Sequence, residues 1–340
     1  MKHRYVLTLV FMMLLVASLS GQGVTKTGTT SATFLNIDVG ARAVGMGSAH
    51  VAVAEGVTAQ YWNPAGIARI SNSEAIFCHT RWIADISYNY TALVIPLANF
   101  GALGVNATFM TTDDMERTTI REPDGTGEMF SVSSYAVGLC YARNLTDFFS
   151  VGMNIKYIQE KIYHSSAQGL AFDVGTLFDT HFYGIKIGMS IRNYGTKMQM
   201  SGQDMLTQTD IDPGISGNNY SINANLQTTR YDLPLMFRVG ISTDVLKGMA
   251  NSNLILSVDA LHPNDDVEYL NLGGEYILNQ MFALRAGYKT LFALDSEEGL
   301  SLGGGIKYRI SGETTIQLDY AYQDFGVLKE IQMFSLGLKF

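Results

Sequence analysis

Side chains able to catalyse a reaction or bind a metal ion are scattered along this chain of 340 residues. The histidines that follow the N-terminal region lack the spacing of a metal site: His50, His79, His164, His181 and His262. No serine lies in a Gly-x-Ser-x-Gly elbow, and no strand–helix unit surrounds Gly45-Met46-Gly47 to make it a nucleotide loop. We therefore predict no catalytic residue, no cofactor and no bound metal, so the chain is not expected to be an enzyme. Two alternatives remain open: a Ser–His pair joined by folding, and a calcium ion held by Asp204, Asp210 and Asp212.

The charged residues in the second half of the chain alternate with apolar residues. Successive side chains of a β-strand point to opposite faces, so these charges are expected on a polar face whose opposite face is apolar. Glu275 is expected to face Arg285, and Asp319 lies between strands that carry Lys307 and Lys339. We interpret the set as lumen charges, serving either as an internal ion-pair lattice or as a selectivity lining: Arg238, Asp259, Glu275, Arg285, Lys289, Lys307, Arg309, Asp319 and Lys339.

Fourteen segments with this alternation are predicted as strands. They are 74–80, 87–96, 102–111, 131–142, 149–163, 170–178, 183–192, 235–243, 253–261, 269–278, 282–290, 300–310, 314–323 and 330–340. The apolar faces are expected to face lipid, and in the second strand that face consists of Tyr88, Tyr90, Ala92 and Val94. Links after odd-numbered strands are often long, notably 112–130 and 193–230, whereas links after even-numbered strands are mostly short. A soluble β-sandwich gives no reason for that difference, so the sequence predicts an all-β, transmembrane antiparallel barrel of about 14 strands.

The N-terminus has the features of a secretory signal peptide. Lys2, His3 and Arg4 precede an apolar run to about Val16, and small residues follow up to Gly21. The run is short for a membrane-spanning helix, so we predict that residues 1–20 are removed. The net charge of −8 becomes more negative without them, which argues against nucleic acid as a partner. For the two cysteines, Cys78 and Cys140, we expect buried free thiols unless their strands meet to allow one disulfide.

Residues 33–70 interrupt the strand pattern. They are apolar but irregular, with Gly40, Gly45 and Gly47 allowing tight turns and Asn63-Pro64 marking a turn before a short helix. An apolar segment that is unsuited to a lipid-facing strand is explained if it folds inside the lumen. We therefore predict three parts: a signal peptide (1–20), an N-terminal periplasmic or hatch segment that plugs the lumen (21–72) and an outer-membrane barrel (73–340).

Two motifs in this segment resemble a known signature. The sequences Gly40-Ala-Arg-Ala-Val-Gly-Met-Gly47 and Tyr61-Trp-Asn-Pro-Ala-Gly66 are similar to the N-terminal signature of the PorV/PorQ family, a branch of the FadL-like outer-membrane barrels. The tail from Asp319 to Phe340 resembles the last hairpin of that family, and Ser48 and His50 are small departures from its pattern. The resemblance implies a fourteen-stranded barrel with a hatch, whose motif residues here are Gly45, Met46, Gly47, Asn63, Pro64, Ala65 and Gly66. Outer-membrane barrels commonly end on an aromatic residue, so Phe340 is the expected signal for the barrel assembly machinery.

The resemblance implies two functions in the outer membrane of a Gram-negative bacterium. Members similar to PorV serve the type IX secretion system, receiving secreted proteins through a C-terminal sorting domain. The expected partners are then the translocon and its cargo, which would dock on the outside loops. FadL-like relatives instead transport hydrophobic small molecules, and an apolar ligand would suit Met198, Met200, Met205 and Leu206. We expect the first function and keep the second as the alternative.

Overall fold

The computed structural model describes residues 26–212, 214–215, 221–248, 251–293 and 296–340. The predicted signal peptide lies outside the described residues.

In the described part of the chain, fourteen antiparallel strands pair with their neighbours, and β1 pairs with β14 to close a barrel, which confirms the predicted fold class. The strands are β1 (Glu74–Arg81), β2 (Ser87–Pro96), β3 (Ala102–Thr111), β4 (Val132–Asn144), β5 (Phe149–Ile162), β6 (Ser165–Asp179), β7 (Lys186–Gly195), β8 (Met236–Asp244), β9 (Ser252–Pro263), β10 (Tyr269–Leu278), β11 (Phe282–Leu291), β12 (Leu300–Ser311), β13 (Thr314–Asp324) and β14 (Glu330–Lys339).

Most strand limits agree with the sequence prediction, and β6 and β7 differ from it. β6 begins at Ser165 rather than near residue 170, because Ser165 pairs with Ile162 of β5 across a two-residue turn. β7 begins at Lys186 and continues to Gly195, with an irregular register opposite β6 between Phe172 and Val174. The longest links, after β3 and β7, lie at one end of the barrel, which is the outward end in barrels of this class.

The outer wall is apolar on nearly every strand. Leu103 and Phe109 of β3, Ile155 of β5 and Leu336 of β14 are exposed, whereas residues of the opposite parity are mostly buried. An apolar wall is what lipid requires, because the backbone groups are already paired within the closed sheet.

The second strand contradicts the prediction for its faces. The residues expected to face lipid are instead buried inside the barrel: Tyr88, Tyr90, Ala92 and Val94. Their surroundings explain the inversion, since the Tyr88 hydroxyl donates to the carbonyl oxygen of Ile37 at 3.0 Å and Tyr90 packs edge-on against Tyr61. The outward residues of β2 include Asn89 and Thr91.

Short elements complete the described structure. Two α-helices, α1 (Ala41–Gly45) and α2 (Ala59–Trp62), and the 3-10 helices Thr33–Asn36 and Pro64–Arg69 precede β1. The long loops carry the paired segments Met115–Glu116 with Met129–Phe130 and Leu206–Thr209 with Ile222–Asn225, while Ser201–Gly202 extends β6. Across the described ranges, no helix is long and apolar enough to span a membrane.

The hydrophobic core lies between residues 32–69, which we call the inner segment, and the inward faces of the strands. Side chains with almost no exposure include Phe34, Met46 and Trp62 of the inner segment and Ile158 of the wall. Both cysteines are buried and free, so the two strands do not supply a disulfide. The core therefore lies inside the barrel, and the inner segment supplies much of it.

Candidate functional site

The inner segment reaches the wall on several sides of the barrel. Its start is held at the long-loop end, where the Ala32 amide donates to Glu160, and just before it Thr30 forms a backbone β-bridge with Asp232. Farther along, Ala41 N donates to the Ser335 hydroxyl at 2.9 Å and Gly47 N to the Ser301 hydroxyl at 2.9 Å. These contacts tie it to β5, β12 and β14.

Inward glycines allow the inner segment to lie directly against the wall. A Cβ atom on any of four of them would overlap backbone atoms of the inner segment: Gly152, Gly188, Gly273 and Gly287. The opposed atoms belong to Pro64, Val51, Met46 and Gly47, respectively. Strand glycine commonly marks such close backbone approach, so these residues position the segment by having no side chain.

The Asn-Pro-Ala motif closes one turn and attaches it to the wall. Asn63 Nδ2 donates to the carbonyl oxygens of Val51 and Thr176, each at 2.9 Å, and its Oδ1 accepts from Ala65 N at 3.2 Å. Asn63 thereby caps the 3-10 helix, with Pro64 in its first turn where a missing N–H costs nothing. A short helix was predicted here, and the wall contact to β6 was not.

The glycine motif residues also lie on the wall. Gly47 has a φ of +61° and packs against Leu272, while Met46 is fully buried over Gly273. Gly66 is packed against Ala54, so a side chain there has no room.

The aromatic pair that precedes Asn63 fixes the first part of the inner segment. The Tyr61 hydroxyl donates to the Ile37 carbonyl oxygen at 2.7 Å, and Trp62 Nε1 donates to that of Val39 at 2.9 Å. Two buried guanidinium groups stack on these rings, with Arg192 Cζ 3.7 Å from the Tyr61 centroid and Arg238 Cζ 4.8 Å from that of Trp62. Cation–π contacts strengthen when water is excluded, so this cluster joins the segment firmly to β7 and β8.

A chain of ion pairs joins α1 to three strands. Arg42 Nη2 lies 2.7 Å from Glu275 Oε2, Arg285 Nε lies 2.7 Å from Glu275 Oε1, and Arg285 Nη1 lies 2.8 Å from Asp319 Oδ1. Glu275 and Arg285 are neighbours across β10 and β11, as predicted from their faces. Asp319, however, pairs with Arg285 rather than with Lys307 or Lys339. The Arg285 guanidinium is long enough to reach across β12, so this ion pair joins two strands that are not neighbours.

A second charged cluster surrounds Asp38. Its carboxylate accepts from Ser48 Oγ at 2.6 Å and lies 2.8 Å from Lys289 Nζ, which also contacts Glu298 at 2.7 Å. Arg238 Nη2 lies 3.7 Å from Asp38 Oδ1. Burial disfavours the ionised form, but Lys289 and Arg238 outweigh it and hold the pKa of Asp38 below its ordinary value.

Asp259 and His50 meet where the inner segment passes β9. Asp259 Oδ2 accepts from the backbone N–H groups of His50 and Val51, at 2.7 and 2.8 Å. The His50 ring lies edge-on to Trp62 and is fully buried, and burial lowers the pKa of the imidazole to about 3. The neutral ring is therefore the form that the core accommodates.

The remaining predicted site residues lie at the short-loop end. Lys307 and Arg309 are exposed, and Lys339 Nζ is 3.5 Å from Glu74 Oε1. Lys307 and Lys339 border a cavity of about 100 Å³ that Arg42 also lines. Phe340 donates its backbone N–H to the Ser73 carbonyl oxygen at 2.9 Å and exposes its ring.

Sequence reasoning missed a third polar cluster, on β5, β6 and β7. Lys156 Nζ lies 2.9 Å from Asp173 Oδ1, which accepts from Asn193 N at 2.8 Å, and Asn154 Nδ2 donates to Oδ2 of the same carboxylate. Lys156 and Asp173 occupy the polar parity of their strands, so the alternation already contained the signal that would have found them.

The outward loops hold the predicted methionines in two environments. Met198 is buried against Gly169, whereas Met200, Met205 and Leu206 line a cavity of about 510 Å³ beneath the loop hairpin. Of the acidic residues proposed for calcium, Asp204 accepts from His164 N and Ser165 Oγ instead. Among the described residues, no group of three or more His, Cys, Asp or Glu side chains has the arrangement of a metal site.

Comparison with known proteins gives one family and one fold. The family model described as type IX secretion system protein PorV matches residues 21–216. No curated protein matches the chain. Among solved structures, the CymD monoaromatic hydrocarbon channel has a TM-score of 0.55 at 12% identity, covering 89% of this chain and 97% of its own. A Pseudomonas aeruginosa FadL homologue has a TM-score of 0.54 at 15% identity, with 89% and 98% covered. The Ralstonia pickettii toluene transporter TbuX has a TM-score of 0.55 at 12% identity, with 88% and 97% covered. At these identities the similarity shows the FadL-like barrel fold alone.

Proposed function

The chain belongs to the PorV family of type IX secretion system proteins and is an integral barrel of the Gram-negative outer membrane, and from this we propose that it docks secreted proteins carrying a C-terminal sorting domain. The observation that carries the proposal is the family match over residues 21–216. The type IX translocon and its cargo are the partners that this function requires. Family and fold are those of a secretion or transport barrel.

We propose that residues 21–72 act as a plug and that docking takes place outside it. The inner segment is held by buried ion pairs and by backbone contacts to inward glycines. Breaking a buried ion pair by removing one partner costs about 3–5 kcal/mol, so moving this segment to admit a protein is unfavourable. A large partner is therefore expected on the outward loops.

The two long loops have the surface chemistry of a protein-binding site. Each is mostly polar but exposes large aliphatic side chains, and exposed apolar patches mark sites of protein interaction. The loop hairpin also offers unpaired strand edges to an extended partner. The exposed residues are Met115, Ile120 and Met129 in the first loop and Leu206, Ile222 and Leu226 in the second.

Binding of a purified C-terminal sorting domain to the purified full-length barrel tests the docking function. A Leu206→Ser, Leu226→Ser double variant is expected to bind about tenfold more weakly, because buried aliphatic contacts are each worth on the order of 1 kcal/mol or more. Val327→Ser is the control, since Val327 is an even more exposed aliphatic residue but lies in the short link between β13 and β14. Equal binding by all three proteins would contradict docking on this loop, and absence of binding by the unaltered barrel would contradict the function.

Transport of hydrophobic small molecules is the second candidate. The observation that favours it is the cavity of about 510 Å³ lined by Met200, Met205, Leu206 and Leu226. Its volume falls within the range of small-molecule sites, and methionine adapts to irregular apolar ligands. Uptake of radiolabelled toluene by cells with and without the protein tests this function. If the protein increases uptake, Met205→Glu should abolish the increase. Uptake that is independent of the protein would exclude this candidate for toluene.

For Phe340 we propose recognition by the barrel assembly machinery. The exposed terminal ring is the feature that supports it. Deleting Phe340 is expected to lower the amount of barrel in the outer membrane several-fold, whereas Phe340→Trp, which keeps an aromatic terminus, should not. Equal amounts of both variants would contradict the role.

A further inference from the structure

The outer wall of β1 and β2 is polar towards its outward end, whereas Phe77 and Ile95, nearer the short-loop end, are exposed apolar residues like those of the other strands. Five outward residues form this surface, which we call the polar strip: His79, Arg81, Ser87, Asn89 and Thr91. His79 and Asn89 are cross-strand partners, and His79 Nδ1 lies 2.8 Å from Asn89 Oδ1. Thr91 is exposed opposite Phe77.

The polar strip interrupts a row of aromatic side chains that crosses the strands. Reading Cα partners from β13 to β4, the row is Tyr320, Phe334, His79, Asn89, Phe109 and Tyr135. Aromatic residues form girdles at the edges of the apolar band in outer-membrane barrels. At β1 and β2 a histidine–amide pair takes the place of two rings.

The inward apolar face of β2 does not force its outward face to be polar. A strand with apolar residues on both faces would satisfy the core and the lipid together. Instead, the side-chain NH₂ group of Asn89 and the second ring nitrogen of His79 have no hydrogen-bond partner among the described residues. At the edge of the apolar band such groups cost less than at its centre, and their unused hydrogen-bonding atoms are available to a partner.

We propose that the polar strip is a lateral interface with a second copy of this chain. An amide both donates and accepts, so Asn89 and its counterpart satisfy each other across a two-fold axis. Arg81 and Asp85 are both exposed at the outward end of the strip, and neither forms an ion pair with a described residue. Across the same axis, Arg81 of one copy would face Asp85 of the other, and their charges are opposite.

The shape of this wall also suits close approach. The small side chains of Ser87 and Thr91 let two walls come near each other, as small residues do between membrane-spanning segments. The link between β1 and β2, residues 82–86, is much shorter than the loops after β3 and β7, so it does not overhang the strip. The inference goes beyond the proposed docking function and does not depend on it.

Disulfide trapping in native outer membranes tests the interface. Thr91→Cys is expected to give a disulfide-linked homodimer under mild oxidation, because the two thiols meet near the axis. Ala286→Cys on β11 is the matched control: it is also a small outward residue but lies on another part of the wall, and it should stay monomeric. The unaltered chain controls for Cys78 and Cys140, which are buried.

Asn89→Leu in the Thr91→Cys background separates a specific contact from chance collision. Loss of the paired amides should weaken the dimer about tenfold, which corresponds to about 1.4 kcal/mol. The proposal would be overturned if Thr91→Cys gave no more disulfide-linked dimer than Ala286→Cys. It would also be overturned if adding Asn89→Leu left the amount of Thr91→Cys dimer unchanged. A cross-link from Thr91→Cys to a different protein, identified by mass spectrometry, would overturn it as well and would assign the strip to that partner.

Discussion

Replacing Gly273 by alanine is expected to loosen the inner segment, whereas the same replacement at the adjacent Gly274 is not. Both residues belong to β10, but Gly273 faces the lumen and Gly274 faces outward. A Cβ on Gly273 would overlap the Met46 carbonyl oxygen and lie 3.0 Å from Met46 Cβ. A Cβ on Gly274 would meet Leu256 Cδ2 at 3.5 Å, which is an ordinary contact.

The expected loss of stability in Gly273→Ala follows from this overlap. Favourable contacts between carbon atoms lie at about 3.5–4.0 Å, so the inner segment must move by about 1 Å to accept the methyl group. Overpacking of this kind costs about 1–3 kcal/mol. Gly274→Ala should instead be neutral or stabilise by up to about 1 kcal/mol, because alanine restricts the unfolded chain.

Urea unfolding of the purified barrel in detergent, together with limited proteolysis, measures both effects. With a slope of about 2 kcal/mol/M, a loss of 2 kcal/mol lowers the midpoint by about 1 M. Proteolysis should cleave the inner segment of Gly273→Ala sooner than that of Gly274→Ala. Equal midpoints and equal cleavage rates would refute the conclusion that the segment is packed directly on the wall.

Three further variants probe the polar contacts of the inner segment. Glu275→Gln removes the charge shared by two guanidinium groups and should cost about 3–5 kcal/mol, measured by the same urea midpoint. Asn63→Ala leaves two carbonyl oxygens without a donor and should cost about 1–3 kcal/mol, with faster proteolysis of the segment; unchanged protection would contradict the anchoring role. The folded-state pKa of His50 is about 3, below its usual 6.5, so the unfolded chain binds the extra proton and stability should fall as the pH drops from about 6.5 towards 3. His50→Phe should show a smaller loss between pH 7 and pH 4, and an identical pH profile would argue against a buried neutral imidazole.

The alternation of apolar and polar residues predicted the strands well, because the period of two is a property of the backbone itself. It also predicted the Glu275–Arg285 neighbours, since facing residues on adjacent strands meet wherever the register allows. The partner of Asp319 was not predictable in that way. Its carboxylate meets Arg285 because the inward guanidinium reaches past the intervening strand, where Gly305 has no side chain to occupy the space between them.

A hatch was predicted from the apolar, irregular sequence of residues 33–70, and the contacts that residues 32–69 make with the wall were not predicted. Asn63 and Gly45-Met46-Gly47 appear in the sequence as turn formers, and the structure adds their contacts with β6 and β10. The inward glycines of the wall appeared only as small residues on the polar face. That four of them (Gly152, Gly188, Gly273 and Gly287) mark a crossing with the inner segment depends on distances between residues far apart in the chain.

The alternation of apolar and polar residues was sufficient to predict the strands, their approximate limits and the closed barrel. The packing of the folded chain was needed to show which face of β2 points inward. On β2 the apolar face lies inside, against Tyr61 and Ile37, and the polar strip lies outside. The physical reason is that lipid and a buried apolar segment favour the same side chains, so an apolar face is equally suited to either environment until the packing around it is known.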